Sequence, residues 1–327
     1  MEERDPVLEA RLKEQFQGCG FGDTIHAFAS CDSTMERAHA LARDGAGEGT
    51  LVFAARQTQG RGRLGRRWES PDGGAYFSLI LRPTRPPAEA PQLSLVAGLA
   101  TAEAIYEQMI AMAAGTGSSD GGLVAAPGSS ERSARPTEAR SRSKIFLARP
   151  SPSLGTPWPL GKSTSASPGP LRPPKASPPA ATPVVSIRWP NDILLDGKKV
   201  AGILTETSTH HYVVVGIGIN VATDPKDLPD TATSLAASGA ACDPYLLTAA
   251  LCSKLDGWYV VWTAQGFAPI RAALRPWLNM GGVVRLTTGD SQVEGQATDV
   301  DNRGCLLVRL ESGVVRTFEA GEVSLLR

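Results

Sequence analysis

Ser186 to Glu206 reads SIRWPNDILLDGKKVAGILTE, a pair of strands together with the turns that end them. Val184 to Trp189 is rich in β-branched and aromatic residues and predicts a strand, and Trp189-Pro190-Asn191-Asp192 predicts its end. Ile193 to Leu195 resumes extended structure, Asp196-Gly197 is a two-residue hairpin turn, and Lys198 to Thr205 returns antiparallel. Strict alternation along the return strand puts Lys199 and Ala201 on one face and Val200 and Gly202 on the other. A lysine beside a glycine that permits close approach suits a grip on a negatively charged group. The plain alternative is a solvated lysine just after a turn.

A second stretch, GRGRLGRRW from Gly60 to Trp68, follows Arg56 and meets no acid until Glu69. Its glycines remove the Cβ atoms that keep ligands from backbone N–H groups. Its arginines carry planar, permanent charge matched to phosphate oxygens. The residues alone read equally as a solvated basic loop or as an RGG-like nucleic-acid contact. Repulsion among the arginines predicts a loop that is mobile until an anion arrives.

Four motifs in order, CDSTMERA (Cys31 to Ala38), RQTQGRGRLGRRW (Arg56 to Trp68), RWPNDILLDGKKVAGIL (Arg188 to Leu204) and VVGIGINV (Val214 to Val221), resemble those of biotin–protein ligases. The resemblance covers most of residues 22 to 327. It implies an α+β fold, with a mixed-sheet catalytic domain of the biotin/lipoate ligase type and a C-terminal SH3-like small β-barrel. It implies a two-step reaction: biotin and ATP give biotinyl-5'-AMP, and a lysine of a biotin carboxyl carrier protein, the carrier domain of acetyl-CoA carboxylase or of a related carboxylase, takes the biotinyl group. Mg²⁺ is the expected companion of the ATP phosphates; the metal ligands stay unassigned.

The resemblance also carries roles over, residue by residue. Arg61 and Arg63 match positions at the carboxylate and phosphate region, with Gly62 giving close contact between them. Lys199 matches the lysine that bridges the biotin carboxylate and the α-phosphate. Ser33, Thr34 and Gln57 match positions for the uncharged head of biotin. Ser33-x-x-Glu36 is also a capping box for the helix starting at Met35. The family commonly has Asn where this chain has Met35, which puts a ligand role at that position in doubt. Trp68 is placed over the adenine or the closing loop, with core packing the alternative. Asn191 and Asn220 are assigned to the nucleotide side. Asp192 is the candidate for orienting the acceptor amine and taking its proton, capping a turn or pairing with Lys199 being the alternatives.

Composition bounds the rest. The chain of 327 residues balances 33 Lys and Arg against 33 Asp and Glu, so no global field for long polyanions is expected. Its five cysteines are scattered and odd in number, against a disulfide framework or a zinc site and in keeping with a cytoplasmic protein. No apolar run approaches the ~20 residues of a membrane span, and no signal-peptide core opens the chain.

Residues 1–21 read as a charged lead, with a helix from about Pro6 to Phe16. That is too little for the winged helix some family members carry, so DNA binding is not expected. A catalytic domain over 22–280 is interrupted at about 113–183 by a Ser/Pro/Ala/Gly-rich insertion that predicts disorder. Short strands separated by Gly289-Asp290, Asp301-Asn302 and Ser312-Gly313 fill 281–327. The oligomeric state, a homodimer included, is left open. The alternatives to a biotin ligase are a lipoate or octanoate–protein ligase of the same fold and, from another class, a nucleic-acid-binding protein using the Arg/Gly loop.

Overall fold

Seven strands make the central sheet, in the order β1-β2-β3-β7-β6-β5-β4, with β1 and β2 parallel and every other pair antiparallel. They are β1 (Ile25–Phe28), β2 (Leu51–Ala54), β3 (Gly74–Leu81), β4 (Val185–Arg188), β5 (Asp192–Leu195), β6 (Lys198–Thr207) and β7 (Val213–Asn220). The computed structural model describes residues 4–16, 18–116, 183–289 and 291–325. The expected insertion at about 113–183 therefore lies outside the described residues, apart from the last turn of the helix that precedes it.

Helices cover the sheet unequally. On one face α1 (Pro6–Gln15), α3 (Gln92–Thr116), α4 (Pro244–Gln265) and α5 (Phe267–Leu274) enclose the main core, which takes in Phe77, Leu79, Val215, Ile217, Leu93 and Trp262. On the other face α2 (Thr34–Arg43) covers only one end, packing Met35, Ala38 and Ala42 against Phe28, Val52, Ile80 and Val214. Period-two alternation explains the division: along β7, Val213, Val215, Ile217 and Ile219 enter the main core. The half-covered face is left with Val214, Gly216, Gly218 and Asn220, and beyond α2 it opens into a cleft.

The hairpin at Asp196-Gly197 forms as read, with positive φ of 50° and 79° at its two turn residues. The strand after it departs from simple alternation. Leu194 pairs with Lys199 and Ile193 with Ala201, so Val200 is an extra residue opposite no partner, a β-bulge. Val200 and Ala201 both turn into the main core. Lys199 consequently shares a face with Gly202, on whose missing side chain its Cε would press at 3.2 Å. The expected pairing of Lys199 with Ala201 on one face is corrected by that single residue.

A second sheet, antiparallel and five-stranded, follows in the order β11-β10-β9-β8-β12: β8 (Val283–Thr288), β9 (Ser291–Val300), β10 (Leu306–Arg309), β11 (Val315–Phe318) and β12 (Glu322–Leu325). Its buried Val284, Leu286, Val300 and Val308 continue the main core. Polar contacts lock it to the helical side: Trp189 Nε1 donates to the Gly304 carbonyl at 3.0 Å, Gln92 to that of Arg303 at 3.3 Å, and Arg271 pairs with Asp299 at 2.7 Å. Trp189→Phe keeps the packing and strands that carbonyl, so it should lower stability by about 1–2 kcal/mol. Urea unfolding checks the figure, and hydrogen exchange should quicken first around 303–306.

Candidate functional site

The cleft has a floor without side chains. Gly216 and Gly218 on β7 face it, and Gly202 on β6 pairs with Gly218. Two large side chains lie on this strip. A Cβ on Gly218 would come within 2.6 Å of Trp68 Nε1, one on Gly202 within 2.8 Å of Trp68 Cζ3, and one on Gly216 within 2.5 Å of Met35 Sδ. The cavity around them is lined by Thr34, Met35, Gln57, Arg61, Gly62, Arg63, Trp68, Asn191, Lys199, Gly202, Leu204, Gly216 and Gly218, among others.

Lys199 stands at one wall of that cavity. Its ammonium is 2.6 Å from Asp192 Oδ1 and 4.9 Å from the centre of the Trp68 ring. Asp192 is opposite Gly202 across the ladder, and its second oxygen accepts from Arg188 at 2.6 Å. The main chain of Lys199 is fixed on both sides: its N–H donates to Thr231 and its carbonyl accepts from Thr233, each at 2.9 Å.

Gly60 to Trp68 is a small hairpin. Gly62 N–H donates to Arg66 at 2.7 Å and Trp68 N–H to Gly60 at 3.0 Å, with a short 3₁₀ turn at Arg63–Gly65 between them. The chain supplies acceptors for its arginines. Arg61 pairs with Glu36 and, at 2.7 Å, with Glu206. Arg66 takes both oxygens of Glu322, and Arg67 lies 3.4 Å from Glu69. Arg63 reaches two neutral oxygens, Asn191 Oδ1 at 3.0 Å and the Gly321 carbonyl at 3.2 Å. Burial holds the Arg63 pKa below the ordinary guanidinium value, opposed by Asp192 and Glu322.

The far end is polar and closely wired. Gln57 Oε1 accepts from Thr34 N–H at 2.8 Å and from its hydroxyl at 3.1 Å, Gln57 Nε2 donates to Ser70 at 2.9 Å, and Ser78 donates to Thr34 at 2.9 Å. The expected capping box is not made. Ser33 is the N-cap residue, but its hydroxyl caps nothing and is buried without a partner, while Glu36 turns to Arg61.

The structure thus gathers Lys199, Arg61, Gly62, Arg63, Trp68, Thr34, Gln57 and Asn191 around one cavity, with Asp192 against Lys199. It does not bring Ser33 or Asn220 to the lining. Asn220 donates at 3.0 Å to the Thr233 carbonyl, within the segment that pairs with Lys199, and its own Oδ1 is buried without a partner. Sequence reasoning missed Glu206. Its signal was present, since Gly202, Leu204 and Glu206 follow one another at period two on the cleft face.

Residues 27–133 and 174–220 match the biotin/lipoate A/B protein ligase family, and 282–326 match the biotin protein ligase C-terminal domain. A bifunctional ligase/repressor of Bacillus subtilis is 31% identical over 299 residues, spanning 88% of this chain and 70% of that protein. The chain belongs to the biotin protein ligase family. A biotin–[acetyl-CoA-carboxylase] ligase of Mycobacterium tuberculosis is 28% identical over 333 residues, 99% of this chain and 97% of that one. The biotin protein ligase of Aquifex aeolicus, solved with biotin and ATP, superposes with a TM-score of 0.62 at 25% identity, over 93% of this chain and 99% of its own. In this biotin protein ligase the bare floor is a packing constraint that can be tested. Gly218→Ala pushes against Trp68 and should cost about 1–3 kcal/mol as an overpacking change. Trp68→Ala in the same chain removes the opposing ring and should recover most of that loss in urea unfolding.

Proposed function

We propose that the cavity takes biotin and ATP, forms biotinyl-5'-AMP, and passes the biotinyl group to a lysine on the carrier domain of acetyl-CoA carboxylase or a related carboxylase. One observation supports this reading above the others: Lys199, Arg63 and the glycine-flanked loop converge on a cavity whose other end is polar and uncharged. Biotin has that polarity, a neutral hydrogen-bonding head and a carboxylate tail.

In the first step a biotin carboxylate oxygen attacks the α-phosphorus and pyrophosphate leaves. Two anions must meet, and Lys199 stands where it can bridge them by exchanging Asp192 for the ligand oxygens. Arg63 adds a fixed donor for charge developing on the phosphate, which is where rate is gained. Arg61 and Gly62 edge the same junction. Thr34 and Gln57 serve the biotin head, Trp68 and Asn191 the nucleotide. Asn220 acts on the site through the Thr233 carbonyl that it holds beside Lys199.

In the second step the acceptor nitrogen attacks the acyl carbon, AMP leaves, and the amine gives up a proton. Presenting a neutral lysine at pH 7 costs roughly 4–5 kcal/mol. Asp192, released from Lys199 as the phosphate draws that lysine away, orients the amine and accepts the proton.

Among the described residues no three His, Cys, Asp or Glu side chains cluster to hold a metal. Mg²⁺ is assigned to the ATP phosphates, its usual companions. Five free cysteines suit a reducing compartment, and we place the enzyme in the cytoplasm. No helix among the described residues is long and apolar enough to cross a membrane.

Incubation with ATP, labelled biotin and a carrier domain should label the carrier. Equal labelling by lipoate or octanoate would redirect the reading to the other branch of the fold, and no labelling by any acid would end it. Lys199→Met should slow adenylate formation about 10²- to 10³-fold, the scale of a lost preorganised donor. Asp192→Asn should leave biotin-dependent pyrophosphate exchange within a few-fold of normal and slow transfer from preformed adenylate about 10²-fold. Equal losses in both steps would remove Asp192 from the transfer.

A further inference from the structure

Arg61 carries the wrong contacts for a residue that grips phosphate with its side chain. One guanidinium nitrogen is on Glu36, in the first turn of α2, and the other is 2.7 Å from Glu206 on β6. The acids come from opposite walls of the cleft and spend both ends of the fork. Glu206 is itself held: its second oxygen meets His39 Nε2 at 2.8 Å, and His39 Nδ1 lies 3.3 Å from the Tyr212 hydroxyl. Two carboxylates beside an anion site make its potential more negative, which opposes binding if Arg61 serves only as charge.

The main chain tells what the arrangement supports. The bonds Gly62 N–H to Arg66 and Trp68 N–H to Gly60 bracket the Arg61–Arg67 pair. Arg61 is therefore at a non-hydrogen-bonded position of the hairpin, its own N–H directed away from the opposite strand. An anchored side chain at that position sets which way the N–H points and how closely Gly60 to Gly62 approach the floor.

We propose that Glu36 and Glu206 are positioning residues: they pin the Arg61 side chain across the cleft so that the outward-facing Arg61 N–H meets the ligand carboxylate–phosphate junction, with His39 holding Glu206 in register. This rests on the cavity being the biotin and ATP site. The competing arrangement is an arginine parked on the acids and released to the phosphates when ATP binds.

Glu206→Gln, Glu36→Gln and the double variant decide between them, by biotin-dependent ATP–pyrophosphate exchange and by amide hydrogen exchange over residues 58–67 without ligand. Pinning predicts that Glu206→Gln raises the KM for biotin about three- to tenfold, the scale of one charge-assisted hydrogen bond, with kcat changed less. The loop amides should exchange faster before any ligand is added, and the double variant should exceed either single one. His39→Gln, which loosens only the outer link, should show the same pattern more weakly. A KM that is unchanged or lowered, with loop exchange unaltered, overturns the proposal and favours parking. If the wild-type chain showed no biotin-dependent exchange, the proposed function would fail, while the ligand-free amide measurement would still decide the anchoring. Should Glu206→Gln not fold by circular dichroism, Glu36→Gln and His39→Gln carry the same comparison.

Discussion

A large side chain can lie flat against a sheet only where the sheet has no side chains of its own, and this fold meets that condition at Gly202, Gly216 and Gly218, which carry Trp68 and Met35 along one wall of the cavity. Glycine weakens a strand, because it packs nothing and loses the most backbone entropy on folding. β6 and β7 tolerate it because they are central strands whose other face is fully occupied. Val200, Ile203, Val215 and Ile217 are buried in the core beneath α3 and α4. The apolar side thus maintains the geometry of a side that contributes almost nothing to holding itself together. Met35 rests on Gly216, and Trp68 rests on the paired Gly202 and Gly218.

The bulge at Val200 is the second half of that arrangement. Without the extra residue, alternation would send either Lys199 or Gly202 into the core. With it, Val200 and Ala201 fill the core together, and the lysine and glycine share the cleft. Lys199 gains a fixed backbone as well, since the 231–233 segment pairs with it and Asn220 holds that segment by the Thr233 carbonyl. Asn220 therefore bears on the lysine through two hydrogen bonds, whatever it contacts when a nucleotide is bound.

Much of this was legible from local pattern. The Asp196-Gly197 turn, the strands on either side of it and the five short strands of the C-terminal sheet all follow from turn chemistry and alternation. The arginine–glycine loop and Lys199 were recognisable as neighbours only because the motifs stand in a known order; spacing alone does not bring residue 63 to residue 191. The bulge was illegible, because nothing in Lys198 to Gly202 marks which residue is extra. Ser33-x-x-Glu36 misled for a related reason. A capping box is a local option, and Glu36 instead meets a distant partner, Arg61 of the loop. The acids that compensate the loop were equally illegible, since Glu36, Glu206 and Glu322 are 25 to 256 residues from the arginines they meet.

Those acids also show where binding charge remains. The Arg66–Glu322 pair is well exposed, and such pairs contribute little and exchange readily. Arg61 is committed to two carboxylates. Arg63 differs, being more deeply buried and held by the neutral oxygens of Asn191 and Gly321. Those contacts fix its direction without cancelling its charge, and the surrounding protein screens it less than water would. Lys199 is the complementary case, paired with one oxygen of an Asp192 whose other oxygen is held by Arg188. An arriving anion therefore meets one cation already aimed and one that exchanges a partner, so recognition depends on geometry at two points and not on the density of arginine that the loop displays in sequence.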